Sequence, residues 1–301
     1  MTVKDEVGGV ARAGTSSEND EYSHIDVSPL TGTIGAEVTG VNAAEPLPDQ
    51  VAAELHRALT RHLVLFLRDQ PLTDHQHVQF ARAFGEPNVY PATRARGLDV
   101  PLEWIEDTPD SPPKADLWHT DAAFLRMPPD IGIINMIDVP PVGGDTMWVN
   151  LYAVYDALSE PMRNVVNGLA QDLHPGPDMK AKLDLQFGPG IYERVADEFS
   201  GYRHPLVRVH PVSGRPALFM CGAYVQGIAG MSPEESDTLL KLLRFGLHDP
   251  NVQCRWRWRR HDLAVWDERC TNHRGLGDHY PAHRLIRRCT TGAGLPRGLG
   301  Q

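Results

Sequence analysis

The segment Trp118-His119-Thr120-Asp121 places an imidazole and a carboxylate two residues apart. On an extended strand, side chains at positions i and i+2 project to the same face, so both could meet one metal ion. A third candidate ligand, His273, follows the strand-like run DLAVWDE much later in the chain. Two histidines and one carboxylate form the facial triad of non-haem iron(II) oxygenases, which leaves coordination positions open for substrates. The His-x-Asp pair is a weak signal by itself, because most such histidines lie in a core or on a surface.

Two arginines follow the third candidate ligand. Arg284 begins RLIRRCT, which we interpret as the next strand of a hairpin after DLAVWDE. Its forked guanidinium could bind the far carboxylate of a co-substrate. Arg288 lies four residues on and would share a strand face with Arg284. The alternatives are a surface arginine on an edge strand for Arg284 and a structural ion pair with an acidic neighbour for Arg288.

Taken together, these motifs resemble the Fe(II)/2-oxoglutarate-dependent taurine dioxygenase (TauD/TfdA) family. The resemblance rests on His-x-Asp, GGDTMWVN, WDxRxxxHR, the following R-x-x-x-R, and the opening segments TGTIGAEVTGV, LVLFLRDQPLT and FARAFGEP. It extends from Ile25 to Gly292. It implies a mainly β fold with flanking helices around a double-stranded β-helix core, also called a jelly roll or cupin-like fold.

The resemblance implies a role for each motif residue of the metal and co-substrate sites. His119, Asp121 and His273 would be the catalytic Fe(II) ligands. Thr146, in GGDT, would help to hold 2-oxoglutarate, and Arg284 would pair with its far carboxylate. The cofactors implied are therefore Fe(II), 2-oxoglutarate as co-substrate, and O2.

The resemblance also implies substrate contacts. Tyr90 and Arg288 match positions that meet the substrate in the taurine-cleaving members. Two departures remove polar contacts, since Pro87 stands where those members have a histidine and Ala115 where they have an asparagine. The substrate implied is small and anionic, and its identity stays open among sulfonates, sulfate esters, aryloxyalkanoates and amino-acid-like compounds.

The implied reaction is hydroxylation of an unactivated C–H bond, with succinate and CO2 as co-products. A hydroxylated carbon that bears a sulfonate, sulfate or aryloxy group would then lose that group. The carboxylate of Asp121 favours hydroxylation or desaturation over halogenation. The alternatives are hydroxylation or desaturation of an amino-acid-like biosynthetic intermediate, a zinc hydrolase or structural zinc site, and a non-catalytic metal-binding jelly-roll module.

The elements that must position these residues can be read from the sequence pattern. The run LPDQVAAELHRALTRH has helical spacing with Asp49 as a plausible N-cap, and Thr73 with Gln76 forms a possible capping box for a second helix. Ser232 and Glu235 form another. Short strand-like runs are predicted at 63–67, 131–138, 143–149, 204–210, 216–220, 252–258 and 261–267. Helices followed by many short strands indicate a sandwich or jelly roll with helices outside.

The domain organisation is predicted to be simple. Residues 1–21 are rich in small and acidic residues and are expected to be a mobile tail, followed by a single dioxygenase domain at 22–296. The Pro-rich, poorly periodic segments 86–116 and 174–203 are expected to be loops that close over the substrate.

Composition limits the partners. The formal net charge of −10 excludes a nucleic-acid-binding surface of the usual basic kind. The chain contains no apolar run long enough to cross a bilayer, and its first residues lack the apolar stretch of a secretory signal. The cysteines, at 221, 254, 270 and 289, form no C-x-x-C pair and are expected to be reduced, as in the cytoplasm. A homo-oligomer is expected because such assemblies are common in the resembled family.

Overall fold

The strand-like runs of the sequence form a β-rich structure. The computed structural model describes residues 22–220 and 222–301. The strands in these residues are β1 (Asp26–Pro29), β2 (Ala36–Thr39), β3 (Val64–Leu67), β4 (Glu103–Asp107), β5 (Ile131–Asp138), β6 (Thr146–Asn150), β7 (Ala170–Leu173), β8 (Tyr202–Pro205), β9 (Val207–Val209), β10 (Pro216–Leu218), β11 (Val225–Ile228), β12 (Gln253–Trp256), β13 (Leu263–Asp267), β14 (Thr271–Gly275) and β15 (Arg284–Thr291).

Two sheets dominate. The larger has the strand order β1-β2-β3-β13-β5-β15-β4, and a smaller three-stranded sheet has the order β12-β6-β14. Neighbouring strands are antiparallel except for β2 and β3. Two further small sheets pair β10 with β9 and β11-β7-β8. The prediction of a mainly β fold with flanking helices is confirmed.

The predicted hairpin after His273 is wrong. The strand at Arg284 exists, but β15 pairs with β4 and β5 in the larger sheet, whereas β14 pairs with β6 in the smaller sheet. The chain between β14 and β15 is held to β6, because Leu276 donates its N–H to the carbonyl of Asp145 at 2.8 Å. Strands that follow each other in sequence therefore lie in different sheets, as in a jelly roll.

The central strands of the larger sheet are buried on both faces, which explains their almost continuous apolar sequence. In β3, Val64 and Phe66 face the smaller sheet, while the alternate residues of the strand face the helices. Phe66 stacks on Trp256 at 4.1 Å between ring centroids and meets Trp148 edge-on at 5.2 Å. These aromatic contacts join the two sheets into one core.

The helices in the described residues are α1 (Asp49–His62), α2 (Asp74–Ala81), α3 (Pro91–Ala95), α4 (Leu151–Asp156), α5 (Glu160–Val166), α6 (Met179–Phe187), α7 (Ile191–Val195) and α8 (Pro233–Gly246). Short 3-10 turns occur at Arg82–Phe84 and Pro250–Val252. α1 and α2 cover the outer face of the larger sheet.

The helix-capping predictions can be compared directly with the structure. The capping boxes of Thr73 with Gln76 and of Ser232 with Glu235 are confirmed. Asp49, expected as an N-cap, is the first helical residue, because the preceding Pro48 has extended backbone angles and occupies the cap position. An acidic residue in the first turn still interacts favourably with the helix dipole.

The two segments expected to be loops contain helices. Segment 86–116 includes α3 and β4, and segment 174–203 includes α6 and α7. We call α3, α6 and α7 the cap. They pack around a third apolar cluster, in which Phe124 and Phe199 meet edge-on at 5.1 Å. These helices are too short for hydrophobic periodicity to reveal them.

Two statements of organisation stay as predictions. The tail predicted at 1–21 lies outside the described residues, and the single domain at 22–296 remains an expectation. Among the helices in the part of the chain that the structure covers, none combines the length and the apolar character needed to cross a bilayer.

Gly132 provides a test of the packing beneath the site. It pairs with Trp266 across β5 and β13, and a Cβ at this position would lie 2.2 Å from the Trp266 ring. Trp266 is fully buried and cannot move aside easily. We expect Gly132→Ala to lower the free energy of unfolding by about 1–3 kcal/mol, as overpacking does. Urea denaturation measures this. Gly168→Ala, with nothing within 4 Å, is the matched control, and equal stability of the two variants would contradict the packing argument.

Candidate metal centre and active site

Backbone pairing brings the candidate histidines together. His119 and His273 form an isolated antiparallel bridge, in which each N–H donates to the other's carbonyl at 3.0 and 2.8 Å. The centroids of the two imidazole rings are 4.2 Å apart. Asp121 lies in the turn that follows His119, so the expectation of a regular strand at both positions is wrong, although the two side chains still converge.

The three side chains have the geometry of a metal site. Asp121 Oδ1 lies 3.6 Å from His119 Nε2 and 3.8 Å from His273 Nε2. These distances are too long for hydrogen bonds, and one ligand atom from each residue lies within 4.8 Å of the others. Asp121 Oδ2 is buried and accepts no hydrogen bond from the residues that the structure covers.

The protonation states also suit a divalent cation. His119 Nδ1–H donates to the carbonyl of Leu117 at 2.7 Å, which leaves the Nε2 lone pair free. Burial, together with neighbouring His119, lowers the pKa of His273 well below its ordinary value, so the imidazole is neutral. Metal ions bind neutral imidazole and ionised carboxylate. The residues present therefore fit an iron(II) ion of the facial-triad kind.

The charge of Asp121 is maintained by Arg288. Burial by itself would raise the pKa of this carboxyl, but the Arg288 guanidinium, with smaller contributions from His119 and His273, holds it well below its usual range. Arg288 Nη1 donates to Asp121 Oδ1 at 2.6 Å. The arginine thus keeps the carboxylate ionised and holds Oδ1, the same oxygen that lies nearest the two histidines, while Oδ2 has no hydrogen-bond partner among the described residues.

Sequence reasoning did not identify Glu268, which lies behind the triad. The backbone N–H of Asp121 donates to Glu268 Oε2 at 3.2 Å, and His273 Nδ1 lies 3.9 Å from the same oxygen. Glu268 is fully buried. Burial, with the adjacent charge of Asp121, raises the pKa of Glu268 well above its ordinary value. The available signal was a glutamate directly after the buried strand β13.

A second group of side chains lies at the start of β6 and β15. Arg284 Nε donates to the carbonyl of Gly144 at 3.0 Å, and its Nη2 lies 3.5 Å from Thr146 Oγ1. Gly144 has φ of +72°, and a Cβ there would lie 3.1 Å from Arg284 Cδ. Glycine is therefore required both by the backbone conformation and by the close approach of the arginine.

Trp258 orients the Thr146 hydroxyl and was also missed by sequence reasoning. Its indole Nε1–H donates to Thr146 Oγ1 at 2.9 Å. Because indole nitrogen is only a donor, the threonine oxygen acts as acceptor here and its own O–H is left to donate elsewhere. Arg284 is buried, and the nearest carboxylate to its Nη1, that of Asp107, is 3.8 Å away. A cation with spare donors beside a free hydroxyl can receive a carboxylate.

This carboxylate-binding group lies next to the triad. Thr146 pairs with Gly275, two residues beyond His273 in β14. Two residues of strand span about 7 Å, which is within the reach of a small dicarboxylate. Arg284, Ile286 and Arg288 are two residues apart along β15 and therefore lie on the same face of the strand. Ile286 belongs to the core between the sheets, so both arginines face this inter-sheet space.

The two residues matched to substrate contacts lie in different elements. Tyr90 is the N-cap residue of α3 and lies 5.9 Å from Phe199 between ring centroids, whereas Arg288 is in β15 beside Asp121. Burial raises the pKa of Tyr90, and the charge of Glu103 acts in the same direction.

The two departures from the family pattern are held by their backbones. Pro87 forms an isolated bridge with Thr291 of β15, and the carbonyl of Ala115 accepts the N–H of Gly275 at 3.0 Å. Neither side chain offers a polar group. Both positions therefore lack the polar side chain that the resembled pattern has there.

Two packed sheets that bring a His-Asp-His triad beside a buried arginine and a threonine define the class of Fe(II)- and 2-oxoglutarate-dependent dioxygenases. Residues 26–290 match the family described as "Taurine catabolism dioxygenase TauD, TfdA family", and the chain belongs to that family. It is an oxidoreductase with a jelly-roll core that uses Fe(II), 2-oxoglutarate and O2.

Relatives support this assignment. The chain is 34% identical over 280 residues to an alpha-ketoglutarate-dependent sulfate ester dioxygenase of Pseudomonas putida, covering 91% of this chain and 92% of the relative. It is 31% identical to an alkylsulfatase of Acinetobacter baylyi, over 91% of this chain and 87% of the relative. A solved structure described as a putative alpha-ketoglutarate-dependent taurine dioxygenase from Burkholderia xenovorans is similar with a TM-score of 0.78 at 33% identity, covering 91% of this chain and 92% of the other.

Arg284 can be tested by truncation. Arg284→Ala removes the buried guanidinium that lies beside the Thr146 hydroxyl. We expect the 2-oxoglutarate concentration for half-maximal succinate formation to rise about 10- to 100-fold, the range for losing hydrogen bonds to a charged group. Arg215→Ala, which removes an exposed arginine paired with Asp156, is the control and should leave this concentration unchanged. An unchanged requirement in Arg284→Ala would remove the residue from this role.

Trp258→Phe tests the orientation of the hydroxyl separately. Phenylalanine keeps an aromatic ring but lacks the pyrrole part of the indole and with it the N–H donor to Thr146. We expect 2-oxoglutarate affinity to fall by about three- to tenfold, the effect of one neutral hydrogen bond. Calorimetric titration of the Mn(II)-loaded protein with 2-oxoglutarate in the absence of O2 measures it. A matching loss in Trp104→Phe, at an exposed tryptophan, would show that the effect is not specific to this bond.

Proposed function

We propose that Fe(II) binds His119, Asp121 and His273, and that the far carboxylate of 2-oxoglutarate binds Arg284 and Thr146. The convergence of the three ligand atoms within 4.8 Å carries this proposal. The neutral state of His273 and the free oxygen of Asp121 support it further. A zinc hydrolase or a non-catalytic module gives no reason for a buried arginine and a threonine hydroxyl to lie together beside the triad.

We infer that the substrate is a small alkyl sulfate ester whose anionic group binds Arg288 next to Tyr90. The support is twofold: relatives at 34% and 31% identity are named a sulfate ester dioxygenase and an alkylsulfatase, and Arg288 lies directly beside Asp121 at 2.6 Å. An anion held by Arg288 therefore places its nearest carbon beside the metal position.

The chemistry follows from this placement. When bound, the iron supplies oxidation of one C–H bond, coupled to conversion of 2-oxoglutarate and O2 into succinate and CO2. Insertion of one oxygen atom at the carbon that carries the sulfate group gives a hydroxylated ester. Its C–O bond to sulfate then breaks as the hydroxyl becomes a carbonyl, so the products are an aldehyde and hydrogen sulfate.

The chain's own residues position the reactants and exclude water. Arg288 holds the anion, Thr146 and Arg284 hold the co-substrate, and the cap covers the cleft with the apolar cluster around Phe124 and Phe199. Exclusion of water limits side reactions and strengthens each ionic contact in the site.

We further propose a cytoplasmic homo-oligomer that acts on a small molecule and binds neither nucleic acid nor membrane. The net charge of −10 supports the last part of this proposal, the absence of binding to nucleic acid and to membranes. Cys254, Cys270 and Cys289 are buried free thiols, which suits a reducing compartment.

A turnover screen tests the function. Hexyl sulfate, hexanesulfonate, an aryloxypropionate and an amino acid of similar length are incubated with Fe(II), 2-oxoglutarate and O2. We expect hexyl sulfate to release succinate, sulfate and hexanal in equal amounts, above the succinate formed without substrate. Arg288→Met should reduce hexyl sulfate turnover at least about 10-fold by loss of charge-assisted hydrogen bonds.

The screen has clear contrary outcomes. Coupled turnover of only the amino acid would replace the sulfate ester proposal with the biosynthetic alternative. Succinate release that none of the four compounds raises above background would overturn the proposed substrate class. Arg215→Ala again serves as the control, because its exposed ion pair with Asp156 involves no residue of the site.

A further inference from the structure

Glu103 forms an ion pair with Arg288, the arginine that the proposed function assigns to the substrate anion. Arg288 Nε donates to Glu103 Oε2 at 3.1 Å, and Nη2 donates to the same oxygen. The two residues face each other across the β4–β15 ladder, so the pairing is built into the sheet. Nothing in the reaction outlined above uses this carboxylate.

The pairing determines how much of Arg288 remains for a ligand. A guanidinium has five N–H donors. Nε and Nη2 each use one on Glu103 and Nη1 uses one on Asp121, so two of the five remain. The charge of Arg288 is also offset, because the Glu103 carboxylate accepts from both Nε and Nη2 of the guanidinium.

The pair is partly exposed. The side chains of Arg288 and Glu103 are 20% and 17% exposed, compared with 6% for Asp121. An anion that reaches the free donors of Arg288 therefore lies close to the Glu103 carboxylate.

Repulsion from this carboxylate grows with the charge of the anion. A sulfate monoester carries one negative charge, and a phosphate monoester of the same tetrahedral shape carries close to two above pH about 7, since its second pKa is about 6. The two share size and hydrogen-bonding oxygens. Charge is then the property by which Glu103 can distinguish them.

We propose that Glu103 is a specificity-determining residue that, by neutralising Arg288, admits monoanionic substrates and rejects dianionic ones. The inference rests on the proposed function, since it requires Arg288 to meet the substrate anion. It makes the site selective for sulfate esters over phosphate esters.

The test compares two probes on three proteins. Hexyl sulfate and hexyl phosphate are titrated by calorimetry at about pH 8, where the phosphate ester is fully ionised. The proteins are the wild type, Glu103→Gln and Glu106→Gln, each loaded with Mn(II) and N-oxalylglycine so that no turnover occurs. Glutamine keeps an acceptor for Arg288 and removes only the charge. Glu106 lies on the same strand but pairs with His283 at 2.7 Å, which makes Glu106→Gln the matched control.

We expect the wild type to favour hexyl sulfate, and Glu103→Gln to reduce the sulfate-to-phosphate affinity ratio by about tenfold, as removal of one nearby charge predicts. Glu106→Gln should leave the ratio unchanged. Glu103→Ala should shift it in the same direction, which provides a second variant if glutamine impairs folding. A general folding defect would weaken both probes equally and would not move the ratio.

An unchanged ratio in Glu103→Gln and Glu103→Ala, or an equal shift in Glu106→Gln, would overturn the inference. Arg288→Met separates this failure from failure of the proposed function. If Arg288→Met keeps its bound Mn(II) but loses hexyl sulfate binding, while the ratio stays fixed in the Glu103 variants, only the selectivity is wrong. If Arg288→Met binds hexyl sulfate as the wild type does, the anion site itself is wrong and the selectivity falls with it.

Discussion

The structure depends on one backbone contact, the bridge between His119 and His273. It joins two segments from distant parts of the chain through two backbone hydrogen bonds of 3.0 and 2.8 Å. Because the bonds are made by the backbone, the distance between the imidazoles does not depend on side-chain packing alone. Asp121 then needs only the next turn to reach the same point, and Trp266 packs against the His273 ring at 4.8 Å. The β-rich core around the bridge keeps both segments rigid.

The charged groups of the site form a chain in which each group limits the next. Glu268 accepts the backbone N–H of Asp121, Arg288 donates to the Asp121 carboxylate, and Glu103 takes the other side of Arg288. A buried charge is costly unless it is paired, so the position of each group depends on its neighbour. Ligand geometry and the electrostatics of the substrate cleft are thus properties of one connected network, although they serve different steps of the reaction.

Much of this could be predicted from sequence, and the failures share a cause. The strand at 131–138 and the capping boxes were predictable because local patterning determines them. The family motifs indicated the candidate ligands. Glu268, Trp258 and Glu103 were missed because their roles depend on contacts between residues far apart in sequence. The false hairpin after His273 has the same origin, since β15 takes partners from the other sheet. The cap was expected to be loops because its helices, of five and nine residues, are too short to show a hydrophobic period.

The cap also bears on how such an enzyme changes over evolutionary time. Its helices pack on a third apolar cluster, which also includes Phe124, Leu173 and Phe219 and is distinct from the two clusters that fill the sheets. Residues there can be exchanged without disturbing the strands that hold the ligand atoms. Substitutions in this outer layer can therefore change the surroundings of the site while the residues of the His-Asp-His triad stay unchanged.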